Sequence, residues 1–251
     1  MGSIIEVFPR GSDPTRANAA RAWRAASVRA DDPPRARVAR LDDLASIRAL
    51  QHAAQPAVPA MTLRQFESHR RAFLAGQIVV ERGGALLAAA SSLIVRWEDH
   101  AIRPDWNTIT GQGTFTTHDP AGGTLHVDDI SINPEDNSAD VALRFLVQAQ
   151  RRLCRTLNLR RIILAARIPG YDAFERDMSP DDYTCRVVWG DLPEANVRAP
   201  LALGFQYCGI ARGYRPADQE SRRHAALLVW LNPVFTPPQP PANVERPRKC
   251  A

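Results

Sequence analysis

Three side chains that can exchange protons lie close together in one apolar segment of this chain. His126, Asp128 and Asp129 fall within a strand predicted over residues 124–132, and imidazoles and carboxylates are common general acids and bases. Because side chains alternate between the two faces of a strand, we expect His126 and Asp128 on one face and Asp129 on the other. The pattern therefore predicts that the two carboxylates serve opposite sides of a sheet.

The elements that follow this strand determine what can bind at its end. Asn133 and Pro134 mark a turn, residues 139–157 have the periodicity of an amphipathic helix, and residues 161–166 form a second apolar strand. This is a strand–helix–strand crossover, which joins two parallel strands. The helix N-terminus then lies at the carboxyl end of the first strand, where free N–H groups and the helix dipole can hold an anionic ligand.

The remaining apolar patterns surround this crossover and predict a mixed α/β domain. Helices should open at Asp42 or Asp43 and at the capping box Thr62-x-x-Gln65. The Gly- and Thr-rich residues 97–123 form a long insertion, of the kind that is usually functional or mobile. Strands are expected at 36–39, 77–81, 86–95, 206–211 and 225–231, the second and third joined as a hairpin at Gly83-Gly84.

Composition excludes several classes of protein. The net charge is +5, carried almost entirely by arginine, but no nucleic-acid-binding motif accompanies it. The four cysteines lack the spacing of a zinc site, and no serine nucleophile elbow is present, so we expect no metal. No apolar run is long enough to span a membrane or to serve as a secretory signal. We therefore expect a cytoplasmic protein without nucleic-acid or membrane partners.

Several phrases of the chain, taken together, resemble the GCN5-related N-acetyltransferase (GNAT) superfamily. The resemblance runs from about Val38 to Pro233 and is closest to the acetyltransferase-like domain that is fused to carbon–nitrogen hydrolases. Its phrases are ITG at 109–111, THDP at 117–120, RLCRTLNL at 152–159, RIPGY at 167–171 and MS at 178–179. It implies a mostly antiparallel mixed sheet with a central parallel strand pair, flanked by helices, in the order β-α-α-β-β-β-α-β-α-β-β.

In this family a glycine-rich turn after the first crossover strand binds the pyrophosphate of coenzyme A. Ile132-Asn133-Pro134-Glu135 fits the strand end, but Asn137 replaces the family's arginine and Asp140 stands where glycine or arginine is usual. The resemblance thus implies a weakened acetyl-CoA or acyl-CoA site. Its residues would be Ile130, Ile132, Asn137, Ser138, Ala139, Asp140, Val141 and Ala142.

The resemblance also implies catalytic roles. Alignment on Pro134-Glu135 puts Asp129 at the family's general base, and His126 is a candidate base if the register differs. The family's general-acid tyrosine, about four residues before Gly204-Phe205, is missing, which leaves water or Tyr207 as the proton donor. His118 and Asp119 are candidates for substrate binding, with a structural Asp-Pro turn as the alternative. Arg167 and Tyr171 are further candidates, with a structural turn at Gly170 as the alternative.

We therefore expect residues 36–233 to be a GNAT-like domain that transfers an acyl group from an acyl-CoA thioester to a small-molecule amine. Two alternatives remain: a non-catalytic binding or regulatory module of the same fold, and an enzyme that uses another donor, such as an acyl carrier protein. The sequence leaves open whether the protein forms a homodimer. Residues 1–35 are expected to be a flexible Arg/Ala/Pro-rich arm, and residues 234–251 a proline-rich disordered tail.

The turn gives a first prediction. Asp140 puts a negative charge where a diphosphate requires positive potential, and like charges at about 4 Å cost roughly 1–4 kcal/mol, or one to three decades of affinity. The double variant Asn137→Arg with Asp140→Gly should therefore bind acetyl-CoA at least about tenfold more tightly in calorimetry. Native micromolar binding that this change does not tighten would contradict the argument.

Overall fold

The computed structural model describes residues 32–101, 103–133 and 137–238. Its strands are β1 (Arg35–Val38), β2 (Gln77–Arg82), β3 (Ala85–Val95), β4 (Thr124–Ile132), β5 (Arg161–Arg167), β6 (Gln206–Ala211) and β7 (Ala225–Leu231). Its helices are α1 (Leu44–Ala54), α2 (Leu63–Phe73), α3 (Trp106–Thr110), α4 (Ala139–Thr156), α5 (Pro180–Trp189) and α6 (Ala195–Ala202). Among the described residues, no helix is long and apolar enough to cross a membrane.

The seven strands form one sheet in the order β1-β2-β3-β4-β5-β7-β6. Every neighbouring pair is antiparallel except β4 and β5, which run parallel and are joined by α4. The predicted fold class, a mostly antiparallel mixed sheet with a central parallel pair, is therefore confirmed. The predicted hairpin is also present, with both Gly83 and Gly84 at positive φ in its turn.

Local sequence signals account for several boundaries. The capping box at the start of α2 forms as predicted, since Thr62 Oγ1 accepts from the Gln65 N–H at 3.2 Å and Gln65 Oε1 accepts from the Thr62 N–H at 2.9 Å. By contrast, the side chain of Asp43 does not cap α1. It accepts from the Arg40 N–H at 2.6 Å and pairs with Arg37, which fixes the turn before the helix.

Two parts of the chain contain more helix than predicted. The insertion at 97–123 contains a 3₁₀ turn, Trp97–Asp99, and α3, and it buries Ile109 and Phe115 completely, so it is a packed part of the domain. Between β5 and β6 there are two helices, not one, because Gly190 ends α5 in the left-handed conformation. The predicted arm and tail fall mostly outside the described residues, which begin at residue 32 and end at residue 238.

Helices cover both faces of the sheet. The apolar face of α4 packs on β2 and β3, where Ala142 and Leu146 contact the cluster that contains Val80 and Ala88. On the other face, residues of α1 and α2 pack against Val79 and Ala89; they include Leu50 and Phe66. The sheet is thus covered by helices on both faces.

The strands separate at the end of the parallel pair. Backbone pairing between β4 and β5 stops at Val127 and Leu164, although β4 continues to Ile132 and β5 to Arg167. At the same point the pairing of β4 with β3 skips a residue, because Ser92 pairs with Val127 and Ser91 with Asp129. Asp128 is therefore the extra residue of a β-bulge, at the point where the sheet opens.

The packing of α4 against the sheet gives a prediction about stability. Leu146 is fully buried between the helix and the sheet, and truncation of such a leucine leaves a cavity that costs about 2–5 kcal/mol. Leu146→Ala should lower the free energy of unfolding by that amount in urea denaturation. The exposed Arg144, two residues away on the same helix, is the control, and Arg144→Ala should change it by less than about 0.5 kcal/mol. Equal losses of unfolding free energy in the two variants would contradict the assignment of Leu146 to the buried face of α4.

Candidate active site

The opening between β4 and β5 forms a cavity of about 240 Å³, here called the donor cavity. Its walls come from the end of β4, the first turn of α4, the end of β5, the N-terminal part of α6 and the loop between β6 and β7. The lining is mainly apolar and includes Ile130, Ile132, Ala139, Leu143, Leu164, Ala165, Ala166, Ala199 and Pro200. A long, largely apolar ligand could therefore lie along the unpaired edge of β4.

A second cavity of about 300 Å³, here called the acceptor cavity, lies beside the first. The segment between α1 and α2 forms one wall, and α2, α3 and the β6–β7 loop form the rest. Asp128, Asp129 and Arg215 line both cavities. The two cavities thus meet at a pair of carboxylates and one guanidinium.

The β-bulge explains why both carboxylates reach this junction. In a regular strand they would point to opposite faces, as the alternation predicted, but an extra residue interrupts the alternation and redirects the side chains. The expectation that Asp128 and Asp129 serve opposite sides is therefore wrong. The sequence contains no glycine or proline at the bulge to signal it.

Neutral hydrogen-bond donors satisfy the Asp129 carboxylate on both oxygens. The Gln51 and Gln55 side-chain amides each donate to it at 3.0 Å, and the Ser131 hydroxyl donates at 2.9 Å. Gln51 is itself oriented, because its Oε1 accepts from the Met61 N–H at 2.9 Å. Asp129 is thus fixed in one orientation, and three donors already occupy three of its roughly four lone-pair sites.

The Asp128 carboxylate has fewer partners. The indole N–H of Trp106 donates to Oδ1, and no side chain of the described residues donates to Oδ2. Burial raises the pKa of Asp128 to about 6, with Asp129 adding to the rise while Arg215 and the Trp106 hydrogen bond oppose it. Asp128 is therefore a carboxylate with an open oxygen at the junction, and it changes protonation state close to neutral pH.

His126 lies next to the junction but lines neither cavity. Its Nε2 is 2.9 Å from the Tyr214 hydroxyl, and its ring stacks with Trp97 at 6.0 Å. Burial lowers the pKa of His126 to about 3, so the imidazole is neutral. Tyr214, by contrast, does line the donor cavity, and sequence reasoning missed it because only its position just beyond β6 marked it.

Four further predicted residues lie away from both cavities. Tyr207 is half-buried on β6 and packs against the core, and Tyr171 is buried with its hydroxyl donating to the Met178 carbonyl at 3.1 Å. His118 stacks on Phe73 at 4.7 Å and accepts from the Ile94 N–H. Asp119 pairs with Arg96 and accepts from the Ala121 N–H, as a structural turn requires.

Arg167 does line the donor cavity, but two carboxylates offset its charge. It donates two hydrogen bonds to Asp218, at 2.7 and 2.6 Å, and one to Glu220 at 2.8 Å. Asp218 in turn accepts from the Ser221 N–H at 3.2 Å. Arg167 thus fastens the β6–β7 loop to the end of β5, and this loop carries Tyr214 and Arg215.

The turn before α4 is only partly described, since Pro134, Glu135 and Asp136 lie outside the described residues. Of the predicted coenzyme A contacts, those that line the donor cavity are Ile130, Ile132, Ala139 and Asp140, whereas Asn137 and Val141 are exposed and Ala142 is buried in the core. The Ser138 hydroxyl accepts from Arg82 Nη1 at 2.9 Å. Arg82, on β2, thus brings a positive charge to the turn that lacks the family's arginine.

These groups fit an acyl-CoA donor in part. The edge of β4 beyond Val127 is not paired with β5, the donor cavity is apolar, and the N-terminus of an 18-residue helix stands at its end with Arg82 nearby. These features suit an extended thioester with an anionic terminus. Asp140, in the first turn of α4, opposes the anion.

Comparisons with known proteins agree with this architecture. No family profile matches the chain. It is 28% identical over 190 residues to a probable hydrolase, YhcX, of Bacillus subtilis, covering 76% of this chain but only 37% of that protein. It is 26% identical over 171 residues to an uncharacterized N-acetyltransferase, YkwB, of Bacillus subtilis, covering 68% of this chain and 75% of that protein.

Solved structures show the same fold at low sequence identity. A GNAT-like decarboxylase, GphF, in complex with isobutyryl-CoA superposes with a TM-score of 0.65 at 21% identity, covering 79% of this chain and 99% of that one. The loading GNAT-like domain of CurA from Lyngbya majuscula gives 0.64 at 15% identity, covering 79% and 98%. The chain therefore has the fold of the GCN5-related N-acetyltransferase superfamily.

Proposed function

We propose that this protein transfers an acyl group from an acyl-CoA thioester to the amine of a small molecule. The observation that carries the proposal is the junction of two cavities at a buried carboxylate, Asp128, whose pKa is about 6. Acyl transfer needs two substrates to meet at one base, and this junction offers a separate cavity to each.

The donor cavity suits the thioester. Its apolar lining accommodates the acyl group and the chain that bears it, and the unpaired edge of β4 offers backbone groups to the amides of that chain. An acyl-CoA complex is known for the GphF decarboxylase of the same fold, which supports a ligand of this class. Arg82 and the N-terminus of α4 would attract its phosphates.

Asp128 is the group best placed to act as general base, in preference to Asp129. Above pH 6 its carboxylate is ionised, and its open oxygen can accept a proton from an ammonium group in the acceptor cavity. The amine nitrogen then attacks the thioester carbonyl carbon, the C–N bond forms and the C–S bond breaks. Two protons leave the nitrogen in total: the first passes to Asp128 and from there to solvent, and the second ends on the leaving thiolate, which departs as a thiol.

Asp140 is the reason to keep an acylated carrier protein as an alternative acyl donor. A phosphopantetheine arm lacks the adenosine diphosphate part of coenzyme A, so it places less negative charge near Asp140. The two donors can be told apart by comparing acetyl-CoA, acetyl-pantetheine and an acetylated carrier protein at equal concentration. A protein that binds none of them, and acetylates no amine in a panel, would be a non-catalytic module.

The base assignment is tested by paired substitutions. Asp128→Asn should lower kcat/KM for acetyl transfer by about 10²-fold or more, the usual scale for loss of a general base. Asp129→Asn should have the smaller effect, because Asp129 already accepts three hydrogen bonds. The exposed Asp177→Asn is the control and should leave the rate unchanged. A larger loss in Asp129→Asn would return the role of base to Asp129.

Asp128→Asn should lower activity, but it should raise stability relative to wild type as the pH rises. The pKa of Asp128 is about 6 in the folded protein and 3.8 in the reference state, so the folded state holds the extra proton between those values. Its stability therefore falls as pH rises through this range, by about 2 kcal/mol between pH 4 and pH 7, and is nearly constant above pH 7. The difference in unfolding free energy between Asp128→Asn and wild type should grow by this amount from pH 4 to pH 7. A difference that does not change with pH would show that Asp128 titrates normally.

A further inference from the structure

We propose that the acceptor cavity selects an amine that also carries a carboxylate, as an amino acid does, and that Arg215 binds this carboxylate. The inference rests on the proposed function and specifies its acceptor. It comes from the charges, neutral polar groups and apolar walls of that cavity.

The cavity presents charges of both signs. Asp128 and Asp129 supply the negative charge, and Arg215 lines the same space. The guanidinium of Arg215 lies over the Trp106 ring, 5.0 Å from its centre, which fixes the arginine against one wall. An ammonium group near the carboxylates would thus leave a guanidinium within reach of another part of the same ligand.

Arg215 differs from Arg167, the other arginine that lines the donor cavity. Arg167 is bound to Asp218 and Glu220, whereas none of the ion pairs found within the described residues includes Arg215. It interacts with Asp128 through space, without an ion pair between them. A guanidinium held at a cavity wall without a paired carboxylate is suited to form a two-pronged hydrogen-bonded pair with a ligand carboxylate.

The rest of the wall is neutral. His69 donates from Nε2 to the Gly113 carbonyl at 2.8 Å and stacks on Phe115 at 3.5 Å. Burial lowers the pKa of His69 to about 4, so the imidazole adds no charge. Its Nδ1 is buried and finds no donor among the described residues. Gln51 and Gln65 are the neighbouring side chains on this wall, and neither is charged.

The apolar part of the wall limits the rest of the acceptor. Val58, Pro59 and Met61 form one side, and Pro216 and Ala217 form another. A cavity of about 300 Å³ with these walls accommodates a small aliphatic side chain. A polyamine or other polycation would bring a second positive charge towards Arg215, which costs energy in a partly buried site. A single amine with a carboxylate satisfies both charges.

Matched acceptors test the inference. L-leucine and 3-methylbutylamine differ by the carboxylate alone, as do L-alanine and ethylamine. With acetyl-CoA as donor, wild type should acetylate each amino acid with a kcat/KM at least about tenfold above that of its amine, on the scale of a charge-assisted hydrogen bond. Arg215→Gln should bring the ratio of the two kcat/KM values in each pair close to one. The ratio is the readout because loss of the Arg215 charge also raises the pKa of Asp128 and so changes the rate with both members of a pair.

Control variants separate charge from folding. Arg215→Lys keeps the charge and should restore part of the preference, and the exposed Arg48→Gln should retain all of it. Equal rates for the members of each pair in wild type, or an unchanged preference in Arg215→Gln, would overturn the inference while leaving acyl transfer intact. Efficient transfer to a peptide N-terminus but not to free amino acids would also overturn it.

If no amine is acetylated, the proposed function fails and binding decides the inference on its own. L-leucine and 3-methylbutylamine would then be titrated calorimetrically into the protein. Binding of L-leucine that is at least about tenfold tighter than that of the amine, and that is lost in Arg215→Gln, would support the carboxylate site. Absence of binding, or equal binding of the two, would reject it.

Discussion

Two neighbouring carboxylates are buried at the point where the central parallel strands separate, and the surrounding structure must compensate for that burial. A buried carboxylate is costly unless hydrogen bonds or an opposite charge stabilise it. Here Asp129 receives three neutral donors, while Asp128 receives one indole N–H and the longer-range field of Arg215. This unequal division leaves Asp128 with a raised pKa and an open oxygen.

Three of these partners come from three different elements outside the strand, so the pair of carboxylates ties the domain together around the site. Helix α1 supplies Gln51, the helix within the insertion supplies Trp106, and the β6–β7 loop supplies Arg215. The insertion is thus part of the wall of the acceptor cavity. The Arg167–Asp218 pair fixes the loop in turn, so Arg167 positions other residues of the site.

Much of the fold could be predicted from the sequence because its signals are local. Alternation and periodicity placed β4, β6 and β7 at their observed bounds, and the Thr62-x-x-Gln65 capping box predicted the start of α2. The parallel crossover followed from a strand, a helix and a strand of ordinary length. Such patterns depend on neighbours in sequence, which are visible without the tertiary structure.

The site was harder to predict because its geometry depends on contacts between distant segments. A one-residue bulge reverses the face of a side chain, and nothing at Asp128 in the sequence marks it. Trp106, Tyr214, Arg215 and Arg82 reach the site from a long insertion, a loop and a hairpin. Their roles depend on which strands are neighbours, and that is settled only by the completed sheet.

The central claim is that the bulge makes Asp128 a buried base between two cavities. A carbon-13 NMR titration of the side-chain carboxyls, with Asp128 assigned from the spectrum of Asp128→Asn, tests it most directly. The structure predicts that the Asp128 resonance titrates with a pKa of about 6 in the free protein. A titration near the ordinary aspartate value of about 4 would show that Asp128 is solvated, and would contradict the account.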